Sequence, residues 1–481
     1  MDSARSNKAT ADHPSYIGST APNGAVGSPN GYRPNNFGVM LTCLYVFVIV
    51  SRVLDVSPIW WLHLPMLLLL LLLGVTALRG QFGITFSSKI ALYFAAFTAW
   101  VIACWPLSEW RAASLGPLIE QLQAFAIFVI VVQMIRTAAD WRRLAGTYAY
   151  AILLAGLLAF YINRSVENGR LALANGSHAD PNEFALAIVV GLPFWWYKAN
   201  AATGAKKVFL LLCTVPLFMT LARTGSRSGL FALAALLFVT FLLGQGARKI
   251  LIAIGTVVLV IAAGFFLPDY LKARYFTIFS PAEDVQLDIK GQKHLQSDIS
   301  SSEGRKALLI QSIRMTFEHP LFGVGPGVFS FASWDERKAS GRTAGLAQVT
   351  HNTYTQISSE TGFPGFILFG ITLFLSIRYT LADYRAAKRT DVELAKKARY
   401  LIESFAGLSV GIFFLSIGYS HTLAVMFAFA VSLRNVAQAP TVSSQAGSTP
   451  GVRAASQAPA LTPSARSRRV RPTYLGSRGR P

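Results

Sequence analysis

The sequence predicts an all-α polytopic membrane protein of about twelve transmembrane helices, with one large extracytoplasmic loop between the ninth and the tenth. Three observations carry that fold class. Of 481 residues, 53% are hydrophobic and only 14% charged, and the mean hydropathy is +0.44, a composition foreign to ordinary soluble domains. The apolar residues come in blocks of the length that crosses roughly 30 Å of hydrocarbon. Lys and Arg recur in every other connection between the blocks, as a chain threading back and forth under the positive-inside rule requires.

The blocks run over residues 37–54, 58–78, 90–106, 117–135, 144–162, 183–199, 207–222, 228–243, 249–267, 363–384, 400–417 and 420–437. The seventh and eighth are short and nearly continuous, and the last two are separated only around Gly418 to His421. Arg79 and Lys89, then Arg136, Arg142 and Arg143, then Lys198, Lys206 and Lys207, then Arg248 and Lys249, and finally a basic run from Arg378 to Arg399 mark the cytoplasmic connections. The connections "DVSP", "SEWRAASLG" and "NRSVENGRLALANGSHADPN" are poorer in positive charge and fall on the other side. An even number of spans leaves both termini in the cytoplasm.

Residues 1–36 and 438–481 are rich in Ser, Pro and Gly or Ala and lack apolar periodicity, so both ends are expected to be disordered cytoplasmic segments flanking a membrane domain of residues 37–437. The leading segment is too long and too polar for a signal peptide. The tail "SARSRRVRPTYLGSRGRP" supplies a good part of the net charge of +21 and suits anionic membrane lipids. Such headgroups attract juxtamembrane basic segments by roughly 1 kcal/mol per charge. Nucleic acid is not an expected partner, because no recognition fold or aromatic interleaving accompanies the charge.

Cys43, Cys104 and Cys213 all lie inside apolar blocks, which suggests neither a disulfide framework nor a metal cluster. The sequence contains no P-loop, dinucleotide fingerprint or HExxH, so no cofactor and no metal is expected. The internal repeats that build many transporters are not visible either.

The chemistry-bearing residues gather in and around residues 268–362, since long loops in compact membrane folds usually carry function. "SSEGRKALLIQSIRMTFEHPLFGVGPGVF" predicts a helix from about Ser302 to Glu318, capped by Ser301 or Ser302, with Leu309, Ile313 and Phe317 at helical spacing and a stop at His319-Pro320. A glycine-rich turn follows, then a polar loop "WDERKASGRTAG", then "VTHNTYTQISSETGFPGF" at the mouth of the next span. On a helix, Asn352, Gln356 and Glu360 would share one face, and His351, Tyr354 and Ser358 another. Gly362, Pro364 and Gly365 would turn the chain into the span. In an earlier span pair "RTGSR" places Arg223 and Arg227 at an outer junction, and "SHADPNEFAL" offers Asp180 before Pro181 as a helix start, with Asn182 and Glu183 in the first turn.

These strings carry a resemblance. "HPLFGVGPGVF" followed by "THNTYTQISSETGFPGFILF", and preceded by "TLARTGSRSGLFAL", resembles the O-antigen ligase and polymerase family, bacterial membrane glycosyltransferases of the GT-C type that use polyprenyl-diphosphate-linked glycans. It covers roughly residues 40–437 in topology and residues 180–192, 220–232 and 303–366 in motif. Ligases, polymerases and protein O-oligosaccharyltransferases share these motifs. The resemblance implies a GT-C-like fold in the inner membrane with a periplasmic loop, and an inverting, metal-independent transfer from polyprenyl diphosphate to lipid A core or another glycolipid.

Such a donor presents two phosphates at the membrane surface, so cations must meet it there. Arg223 and Arg227 suit the task because a guanidinium forks bidentately onto phosphate oxygens, and a basic pair on the outer side runs against the charge rule. Ordinary snorkelling at a helix end is the other reading of the pair. Arg305 stands where the family has its second pyrophosphate-binding arginine, whereas Arg314 points to a different helix face. His351 is the candidate base for the acceptor hydroxyl, since imidazole titrates near pH 6.5; His63, His294 and His319 read as structural. Asn352, Tyr354, Glu360 and Asn182 are supporting or substrate-contacting candidates, with His178 and His421 as further sugar contacts. Glu360 could orient His351 or an arginine only across a break in the helix, because nine residues carry it about half a turn away. A small-anion transporter is the reading from a different class. A carrier needs charge at the membrane midplane, and the main acidic residues inside the spans, Glu120 and Glu403, sit near span starts, which favours the enzyme.

Overall fold

The computed structural model describes residues 36–80, 82–162, 165–166, 169–173, 178–276, 289–339 and 348–438, all within one compact unit. Most of both terminal segments, including the basic tail, lies outside the described residues, as do residues 277–288 and 340–347 of the loop.

The helices before the loop largely follow the apolar blocks. They are α1 (Asn36–Ser51), α2 (Leu64–Arg79), a short α3 (Phe82–Phe86), α4 (Lys89–Cys104), α5 (Arg111–Met134), α6 (Ala138–Ile162), α7 (Pro181–Ala201), α8 (Gly204–Leu212), α9 (Thr214–Arg223), α10 (Arg227–Leu243) and α11 (Ala247–Phe266). The loop contributes α12 (Asp269–Phe276), α13 (Ile289–Glu318) and α14 (Phe329–Ala339), and the chain closes with α15 (Thr353–Ala387), α16 (Val392–Gly411) and α17 (His421–Gln438). A two-residue antiparallel ladder, Ser165–Val166 with Arg170–Leu171, is the β-structure among the described residues.

Each of the twelve expected spans falls on helix, and among the described residues seven helical stretches are long and apolar enough to cross a membrane by themselves. The expected seventh span is two helices, α8 and α9, joined at Cys213. The eleventh ends at Gly411, earlier than expected, and residues 415–420 form a non-helical link before α17.

The core is built around α7 and α17, whose side chains are buried almost along their whole length. Large rings interlock there: Phe194 stacks on Phe429 with centroids 4.7 Å apart, and Phe94 meets Phe128 and Phe427 edge-on. Helices pack closely where a small residue faces a neighbour, as Gly191 does against Ile152. Two of the buried carboxylates are paired: Glu403 accepts from Arg399 at 3.0 Å and Asp383 from Arg434 at 2.8 Å.

The loop corrects three expectations. α13 begins at Ile289, so neither Ser301 nor Ser302 caps it, although it does end at Glu318 before His319-Pro320. Its buried face is Leu308, Ser312, Met315 and Thr316, while Ile313 and Phe317 are exposed. The helix packs by its small and polar side against α15, because that side meets a helix surface of Ser and Thr: Thr316 and Ser358 share a hydrogen bond of 2.8 Å. The "WDERKA" half of the expected polar loop is helical, in α14.

Candidate active site

Two helix starts and one helix meet at the site. Arg227 is the first residue of α10, whose N-cap Ser226 accepts from the Gly229 N–H at 3.0 Å. The "RTGSR" turn that delivers it is pinned from three sides. Arg170 donates to the Thr224 carbonyl at 2.8 Å, Arg274 to the Gly225 carbonyl at 2.7 Å, and Tyr275 to the Ala222 carbonyl at 3.0 Å. Asn182 lies beneath this turn and is buried. Its side-chain oxygen accepts from Arg170 at 2.8 Å and from Ser226 at 2.9 Å, so it ties the start of α7 to the start of α10. Asp180 caps α7 through the Asn182 and Glu183 N–H groups, as the sequence suggested.

The second start is that of α15. Asn352 is its N-cap, accepting from Tyr354 and Thr355 at 2.9 and 3.1 Å. His351 therefore lies outside the helix, with a left-handed φ of 52°, a conformation that costs a non-glycine residue energy and recurs at functional sites. Thr350 helps hold it there, donating to the Asn352 carbonyl and sharing a 2.7 Å hydrogen bond with Ser416.

Arg227, Arg305 and Lys306 line a single cavity of about 310 Å³ together with His351 and Asn352, walled by Phe231 and Phe414, whose rings stack at 5.5 Å. Lys306 was missed by the sequence reading, since the neighbour of a candidate arginine on a polar helix carries no signal of its own. Among the described residues His351 receives and gives no hydrogen bond, leaving both ring nitrogens available to a ligand. Burial and the nearby Arg305 cation hold its pKa below the usual 6.5, with Asp180 pulling the other way. The imidazole is thus neutral at neutral pH and able to accept a proton. The start of α10 adds the positive end of a helix dipole to a cavity lined by three cationic side chains, an arrangement whose chemistry suits anions.

Other candidates stand elsewhere. Arg223 ends α9, lies over the Phe160 ring at 5.4 Å and lines a separate, mostly apolar cavity of about 550 Å³ with Phe218, Leu251 and Phe266. Tyr354 points away from His351, donating to the Ser409 carbonyl at 3.1 Å and packing on Phe369 and Phe413. Arg314 pairs with Glu318 and Glu336.

Glu360 orients neither His351 nor an arginine. Buried in α15, it accepts from the Gly327 N–H at 2.9 Å, the Phe329 N–H at 3.4 Å and the Tyr419 hydroxyl at 2.9 Å. It clasps the "GVGPGVF" turn. The clasp needs the break at Gly362, which sits at φ 68° and ψ −175°, and where a Cβ would collide with the Leu321 carbonyl. The break leaves the Thr361 carbonyl open, and the Trp100 indole donates to it at 2.8 Å. The second half of the polar motif thus positions α13, and with it Arg305 and Lys306, against the start of α15.

No curated protein matches the chain. Over residues 209–370, the stretch that carries Arg227, Arg305, His351 and Glu360, the chain matches the family model described as O-antigen ligase.

Proposed function

We propose that the protein is an inner-membrane glycosyltransferase of the O-antigen ligase type, moving a glycan from polyprenyl diphosphate to an acceptor such as lipid A core at the periplasmic face. The observation that carries this reading is the cavity that Arg227, Arg305 and Lys306 line together with an imidazole that has no hydrogen-bond partner among the described residues. The cations hold the donor's diphosphate, with the arginines forking onto its oxygens. His351 takes the proton of the acceptor hydroxyl as that oxygen bonds to the anomeric carbon and the bond from this carbon to the phosphate oxygen breaks. The electron pair leaves with the diphosphate, whose growing charge the same cations stabilise. Attack opposite the leaving group inverts the anomeric centre, and no step requires a metal ion.

The test is transfer by purified protein in proteoliposomes, with polyprenyl-diphosphate glycan, lipid A core and EDTA. Glycan on the lipid acceptor establishes a metal-independent ligase. Chains that lengthen on the polyprenyl carrier make the protein a polymerase, and activity restored only by added divalent metal removes the metal-independent mechanism.

A further inference from the structure

A second cavity, of about 540 Å³, lies at the same end of the helices and has a different chemistry. Its polar lining includes Arg52, Glu120 of α5, Glu183 of α7, His178, Ser420 and His421. Neither Glu120 nor Glu183 has a hydrogen bond or ion pair to its carboxylate among the described residues. The Ser420 Oγ and the His421 Nε2 are shut off from solvent and have no hydrogen-bond partner among the described residues. Buried polar atoms left in this state are costly and rare, and a ligand hydroxyl satisfies them. No three of the carboxylates and imidazoles among the described residues are placed to hold a metal ion. Ile49, Leu186 and Val425 add apolar patches to the wall.

The two cavities share a partition. Thr350 lines the basic one and Ser416 the other, and these two hydroxyls are bonded at 2.7 Å. Asn352 faces the first, and Gln356, one turn further along α15, faces the second. Charge sorts them as well. The residues lining the first cavity include Arg227, Arg305 and Lys306 and no carboxylate, which suits a diphosphate, whereas the second sets Glu120 and Glu183 beside one guanidinium, Arg52, in a mixed lining of carboxyl, amide, hydroxyl and imidazole groups that suits a ligand rich in hydroxyls.

We infer that this second cavity is a saccharide-binding subsite, in which Glu183, Glu120, Ser420 and His421 hold sugar hydroxyls next to the chamber of His351. The assignment rests on the transferase reading for its purpose, though not for its chemistry. The sugars could belong to the acceptor or to the donor's glycan. Steady-state kinetics of Glu183→Gln and Ser420→Ala in proteoliposomes separate the two. Each variant is expected to raise KM at least tenfold for one substrate while kcat stays within threefold of wild type. A rise confined to lipid A core assigns the subsite to the acceptor, and a rise confined to the polyprenyl-linked glycan assigns it to the donor. Unchanged KM for both substrates in both variants overturns the proposal. Saturation-transfer NMR with soluble core oligosaccharide reads binding without turnover. Contact that is present in wild type and lost in Ser420→Ala, in a protein that transfers nothing, keeps the subsite and sinks the transferase reading. Equal contact in the two proteins overturns the subsite.

Discussion

His351 shows how backbone conformation decides what a side chain meets. A histidine inside the first turn of α15 would be fixed to one helix face. Held at φ 52° just ahead of the Asn352 cap, it instead enters a chamber of cations. His351→Ala is expected to leave folding intact and lower transfer by about 10²–10⁴-fold, the range of a lost general base; a variant that accumulates in the membrane and transfers at the wild-type rate removes the role. The pH dependence follows from the depressed pKa. Only the neutral imidazole accepts a proton, so the rate should hold at pH 6.5 and fall on the acid side below it. Arg305 lowers that pKa, so Arg305→Gln should move the acid limb of kcat to higher pH, while Arg305→Lys, which keeps the charge, should leave it near its original place. A limb that does not move in Arg305→Gln argues against coupling between the two side chains. At Arg227 the same conservative change has a different outcome: Arg227→Lys keeps the charge but loses the fork, and donor KM should rise by about tenfold or more if bidentate phosphate binding matters.

At the scale of elements, the site depends on a clasp between α15 and the turn that follows α13. Glu360 gathers two backbone N–H groups and one hydroxyl, and Gly327 passes so close to α5 that a Cβ would overlap Pro117. Glu360→Gln puts an amide donor where only donors point, at a cost of about 1–3 kcal/mol. Gly327→Ala should be at least as damaging, because its φ of 71° disfavours a side chain and its space is already filled. Both variants should lower the thermal midpoint of the detergent-solubilised protein and expose the α13–α14 region to protease before the membrane helices are cut. Wild-type protease resistance in both would mean that the clasp is dispensable. The tandem of turn and "SSETGFPG" was legible as a unit in the sequence. Its purpose was not, since Glu360 and Gly327 are far apart in the chain and only the close approach of the two backbones makes the carboxylate an acceptor for that turn.

For the whole molecule, the alternation of basic and non-basic connections predicts which end of the bundle faces outward, and both cavities lie at the end where α7, α10, α15 and α17 begin. In a background without native cysteines, Glu109→Cys in the connection before α5 should react with a membrane-impermeant maleimide on intact cells, and Thr390→Cys between α15 and α16 should react only after permeabilisation. The reverse pattern would put the cationic cavity on the cytoplasmic side and defeat the proposed chemistry.

The amino-acid pattern by itself determined the all-helical membrane architecture, the position of most helices and the Asp180 cap, whereas the grouping of Arg223, Arg227 and Arg305 with His351 came from the family resemblance of the motifs. Hydrophobic blocks and charge alternation are local quantities, and they are written along the chain. Only the tertiary structure decided that Arg223 lines a different cavity from Arg227, four residues away, because a tight turn between α9 and α10 sends the two side chains to separate walls. It likewise decided that Asn352, Asn182 and Glu360 serve as cap, strut and clasp, and that Glu120, Glu183, Ser420 and His421 converge on one chamber. Hydrogen-bond partners and cavities depend on which backbones approach one another across hundreds of residues, and no local periodicity encodes that distance.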